Sequence, residues 1–152
     1  MTSKNEISVI NYVGLFALLN AALMLFFNVL AYGFDIDLGS GANIAMLMGA
    51  SIITSNQFVT INQRAPDKTE KYNLILGCLL SSVAISIAGV AILISVVLGP
   101  QGITEITGIF SALSAPTWLI IISAVTSVYY LMLNLSFGWH ANKLAMKIRS
   151  KA

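Results

Sequence analysis

"FVTINQRAPDKTEK", residues 58–71, is the densest cluster of charge in a 152-residue chain that carries little charge elsewhere. Ala65 precedes Pro66, and a residue before proline is pushed out of the helical region, so a helix arriving from Phe58 must stop here. Asp67 and Glu70 stand three apart. Asp67 can accept from the first N–H groups of the next helix while Glu70 reaches back to the cap. Arg64 is close enough in sequence to pair with either acid. The stretch reads as a tight turn between two helices, and the class of the protein follows from what those helices are made of.

Apolar residues make up 57% of the chain and charged residues 9%, with a mean hydropathy of +0.86. Soluble domains carry about a quarter charged residues, so this composition cannot build a water-facing surface. Uncharged stretches run over 7–34, 38–63, 72–104 and 106–142. A spanning helix needs about 20 mostly apolar residues, so each stretch holds one. The expectation is an all-α integral membrane four-helix bundle, a single transmembrane domain over 1–152, with spans near 9–33, 42–62, 72–98 and 117–140. Val29 and Ala31 form a weak cleavage pattern, but the first apolar run is longer than the usual 7–15 residues of a signal peptide. It is read as an uncleaved span.

All eight Lys and Arg residues fall on one side of this topology: Lys4, Arg64, Lys68, Lys71, Lys143, Lys147, Arg149 and Lys151. The other side receives only Asp35, Asp37 and Glu105. Positive residues stay in the cytoplasm, so both termini are expected there. Trp118 and Trp139 are 21 residues apart, about 31 Å at helical rise, which matches the hydrocarbon thickness and places one indole at each interface.

The first outer loop, "GFDIDLGSG" (33–41), is short and acidic. The second outer connection, "GPQGITEITGIFSALSAP" (99–116), breaks the third span at Gly99, Pro100 and Gly102. Ile103, Ile106, Phe110 and Leu113 then recur at spacings of three and four, which predicts a short amphipathic helix ending at Pro116. The tail "NKLAMKIRSKA" (142–152) continues the last helix with lysines at four-residue spacing. Such a segment is an anchor for anionic lipid headgroups rather than a nucleic-acid binder.

Spanning helices associate through small residues and polar side chains. Gly41, Ala45 and Gly49 line one face of the second span, and Ser82, Ser86 and Gly89 give the third a comparable stripe, so these two are expected to pack together. Asn20 and Asn28, "TSNQ" (54–57) with Asn56 and Gln57, and Thr126, Tyr130 and Asn134 are expected to face inward, since polar groups are costly in lipid. They either bond to one another or line a small polar cavity. The binding candidates are therefore Asn20, Asn56, Gln57, Arg64, Glu70, Tyr130 and Asn134.

No Asp, Glu, Lys or Arg lies deep in a span, so the carboxylate of many proton-coupled pumps is missing. His140 is the single histidine and Cys78 the single cysteine. No nucleophile has a base, and no metal or cofactor is expected. Cys78 reads as a packing residue and His140 as an interfacial one. The protein is expected not to be an enzyme.

Across "GASIITSNQFVTINQRAPDKTEK" (49–71) the chain resembles a family of small uncharacterised four-span proteins of bacterial inner membranes. In that family a small-residue-rich second helix leads to a phenylalanine, an arginine, a proline and a glutamate in the cytoplasmic turn; here the matching positions are Gly49, Phe58, Arg64, Pro66 and Glu70. The resemblance implies an inner-membrane location and no reaction. By analogy with small membrane proteins of this look, the expected function is that of an immunity protein, which binds an antibacterial toxin. A small transporter or channel subunit is the alternative, and an assembly subunit of a larger complex a third. The partners expected are the lipid bilayer, a protein such as a toxin or complex subunit, and a second copy of the chain.

Overall fold

The structure is a computed structural model, and it describes residues 9–35, 39–93 and 99–150. Every regular element among them is helical: α1 (Val9–Phe34), α2 (Gly39–Asn62), α3 (Lys68–Leu93), α4 (Gly99–Ala112), α5 (Ala115–Asn134), a π-helical turn (Leu135–His140) and α6 (Ala141–Arg149). α5, the π turn and α6 join into one continuous rod, so four helices are long and apolar enough to cross a membrane. The chain is a multi-pass helical membrane protein. Leu18, Leu25, Val29, Leu119, Ile120 and Leu131 all stand more than half exposed, as side chains in contact with lipid do.

The boundaries have local causes. α2 ends at Asn62 because Gln63 takes a left-handed conformation, φ 51°, and Pro66 disfavours a helical conformation at Ala65. α3 starts at Lys68, earlier than the uncharged stretch suggested, because the Glu70 carboxylate caps it. α1 ends at Phe34, followed by left-handed Asp35. α4 begins already at Gly99, with Pro100 in its first turn, where a missing N–H costs nothing. The side chains of Ile103, Ile106 and Phe110, which define its expected apolar stripe, lie outside the described residues. Pro116 lies in the first turn of α5, with Ser114 at the N-cap position making no side-chain cap bond, instead of closing α4.

Helix packing departs from the expectation drawn from small residues. α1 packs along both α2 and α3, and the α5–α6 rod packs against the same two. α2 and α3 therefore sit at opposite corners and form no extended contact among the described residues. Gly49 faces Leu23 of α1, at 3.8 Å from the position a Cβ would take, and the same position at Gly89 meets Met24 of α1 at 2.8 Å. Gly41 and Ala45 are exposed. The closest backbone approach is at Gly77, where a Cβ would lie 2.6 Å from Val13. Gly49, Gly77 and Gly89 thus serve α1, because a small residue is met by whichever neighbour lies beside it and not by its partner in sequence.

Thr126 and Tyr130 are exposed, as is Gln57. The inward face of the rod is instead Tyr129, Met132, Leu133, Ser136 and Phe137, one position away from the expected polar row.

Burial is concentrated at one end. Phe16, Phe58, Leu74, Cys78, Leu133 and Phe137 are at most 1% exposed and gather towards the α2–α3 turn. Tyr12 and Phe58 stack at 4.9 Å. Towards the opposite end burial thins among the described residues, and α5 has no buried residue before Leu133. Among the described residues the bundle is packed tightly at its basic end and loosely at the other, its open end.

Candidate functional site

At the basic end the turn closes on an ion-pair fork. Arg64 donates from both terminal nitrogens to the two Glu70 oxygens at 2.7 Å each. It also donates to the Ala65 carbonyl at 3.2 Å. Glu70 accepts from the Asp67 backbone N–H at 2.8 Å, completing half of a capping box. The guanidinium lies 5.8 Å from the Phe58 ring centroid. Hydrogen bonding to Glu70 raises the Arg64 pKa above its ordinary value, against the opposing effect of burial. Asp67 is more distant, 3.6 Å from Arg64 and mostly exposed.

Deeper in, α2 meets the π turn through a polar seam. The Ser51 and Ser136 hydroxyls lie 2.8 Å apart, and Ser55 donates to the Ser136 carbonyl at 2.9 Å. That carbonyl also takes the wide-turn bond from Ala141 N–H, so the extra acceptor capacity of the π turn is used by α2. His140 Nε2 lies 2.8 Å from Asn56 Oδ1. His140 is therefore half-buried and has a side-chain partner in α2, which the sequence does not reveal. Gly138 leaves room for the Lys71 side chain, whose Nζ lies 2.7 Å from where a Cβ would be. Tyr12 and Asn62 tie α1 to the end of α2 at 3.0 Å.

The open end holds a cleft of about 230 Å³ between all four spanning helices, lined by Asn20, Met24, Asn43, Met46, Leu47, Ser82, Ser86, Val90 and Tyr129. Ser82 is satisfied by the Cys78 carbonyl at 2.9 Å. Asn20, Asn43, Ser86 and Tyr129 have no hydrogen-bond partner among the described residues. Four polar groups thus converge on a partly apolar cleft with their bonding capacity unspent. Asn28 bonds its own helix at Met24 instead.

Of the candidates read from the sequence, Asn20, Ser82 and Ser86 meet at the cleft, Asn56 joins the seam, and Arg64 and Glu70 form the fork. Asn134 is half-buried beside Gly138, and Gln57 and Tyr130 turn outward. Asn43 and Tyr129 were missed. Asn43 sits near a span end where polarity carries no signal, and Tyr129 adjoins Tyr130, from which the sequence does not distinguish it. Among the described residues no group of three His, Cys, Asp or Glu side chains comes together for a metal ion. Comparison with protein-family models, curated proteins and solved structures finds no match to this chain.

Proposed function

We propose that this chain is a non-enzymatic protein of a bacterial inner membrane that binds a membrane-acting antibacterial toxin and blocks it, as immunity proteins do. The supporting observation is the cleft with its unpaired Asn20, Asn43, Ser86 and Tyr129. Asn20, Ser86 and Tyr129 lie well inside their spans, where unpaired polar groups are costly, so a segment bearing complementary donors and acceptors gains by inserting there. The described basic residues, Arg64, Lys68, Lys71, Lys143, Lys147 and Arg149, lie at the other end, which favours cytoplasmic termini and an outward-facing cleft, with α4 as an amphipathic helix on the outer leaflet. A toxin arriving from outside meets the open end first. Transport ranks second, since a conduit would have to pass the aromatic packing of Phe16, Phe58 and Phe137.

The test is competition. A host strain lacking the gene is grown in contact with wild-type siblings and is expected to be killed unless the gene is restored. Restoration with Ser86→Trp, which fills the cleft from an exposed position, is expected to leave the protein folded and the cells unprotected. Equal survival of the deletion strain and its siblings removes the reading.

A further inference from the structure

A groove of about 430 Å³ lies at the basic end between the α2–α3 turn and α6, lined by Arg64, Ala65, Pro66, Asp67, Asn142, Ala145, Met146 and Arg149. The four α6 residues fall at i, i+3, i+4 and i+7, so a single face of α6 forms one wall. Its lining joins apolar side chains, from Ala145, Met146 and Pro66, to two arginines, Arg64 and Arg149. We propose that this groove is a specific site for a phosphate oxyanion, held as the headgroup of an anionic phospholipid. The inference is independent of any toxin-binding role.

The donors support it. Arg64 uses three of its five N–H groups on Ala65 and Glu70, which fixes the guanidinium and leaves two uncommitted. Arg149 has no acidic partner among the described residues. Asn142 adds an amide to the same lining. A guanidinium pair with a neutral donor matches the planar, multi-donor recognition that phosphate prefers.

Depth supports the lipid as source. Asn142 and Met146 follow the exposed Trp139 by about 5 and 10 Å along the helix. That is headgroup depth if the indole sits at the interface. Lys143 Nζ lies 4.9 Å over the same indole. The apolar side chains of the lining then receive the glycerol and first methylenes, which free phosphate cannot use. Asp67, in the same lining, opposes the anion and sets a limit on affinity.

The test uses the purified full chain in neutral maltoside detergent, titrated separately with dihexanoyl phosphatidylglycerol, dihexanoyl phosphatidylcholine and inorganic phosphate, with binding followed by tryptophan fluorescence. Phosphatidylglycerol is expected to bind about ten-fold tighter than phosphatidylcholine, the worth of one charge-assisted contact. Arg149→Ala should remove that preference, while Lys147→Ala, the same charge on the same helix but off the groove, should keep it. Asp67→Asn, which retains a capping residue, should tighten binding several-fold. Inorganic phosphate binding as tightly as the lipid supports the anion site and makes soluble phosphate its ligand. Equal binding of the two lipids, or equal losses from Arg149→Ala and Lys147→Ala, overturns the proposal in favour of diffuse electrostatic attraction.

Discussion

Arg64 and Glu70 face each other across the α2–α3 turn in two parallel hydrogen bonds of 2.7 Å, with side chains 29% and 20% exposed. A single ammonium cannot reproduce the fork. Arg64→Lys is therefore expected to cost about 1 kcal/mol, at the upper end for a pair with this much solvent access. Glu70→Ala should cost more, since it also releases the Asp67 N–H. Thermal unfolding in detergent of both single variants and the double variant measures the coupling. Purely additive losses would reduce the fork to two unrelated charges.

The fork, the turn and the number of spans were legible because each rests on neighbours in sequence: a pre-proline residue, a carboxylate three positions after a cap, and gaps between charges. The order of helices around the bundle was not. A helix that is apolar on every side carries no stripe to say which neighbour it meets, so Gly49 and Ser82 could be assigned to small-residue faces but not to α1 or the cleft. The π turn adds a second obstacle. It inserts one residue into the helical count and changes the facing of everything beyond Leu135. That is why the pairing of His140 with Asn56 had no local signal.

The glycines rank by what stands opposite them. Gly77→Ala should destabilise by about 1–3 kcal/mol, because Val13 is β-branched and cannot swing aside from a Cβ at 2.6 Å. Gly89→Ala should cost less, as its neighbour is the flexible end of Met24. Gly49→Ala meets only ordinary contact and should be neutral or stabilising by up to about 1 kcal/mol through helix propensity. Unfolding midpoints of the three variants give the order; Gly49→Ala falling below Gly77→Ala would refute the placement of α1 between α2 and α3.

Orientation is open to a direct measurement. With six basic residues at one end and none at the other among the described residues, a reporter active only outside the cytoplasm should be silent when fused after Ala152 and active when inserted near Gly39. Activity at the C-terminus would turn the cleft towards the cytoplasm and end the proposal that it receives a partner from outside.

The cleft makes one prediction that separates binding from folding. A polar side chain that serves the fold loses a bond when removed, whereas one reserved for a partner does not. Asn20 lines the cleft and has no partner among the described residues. Asn20→Leu should therefore leave the isolated protein as stable as before, or more stable by about 1 kcal/mol, because an unpaired amide is exchanged for an apolar group of similar size. Ser55→Ala is the contrasting case: it removes a real bond, to the Ser136 carbonyl, and should cost about 0.6 kcal/mol, the average for such bonds between membrane helices. In the competition assay the order should reverse. Asn20→Leu should weaken protection despite its stability, and Ser55→Ala should retain it. A destabilised Asn20→Leu protein would place that amide among the bonds that hold the bundle together and leave the cleft without its central recognition group.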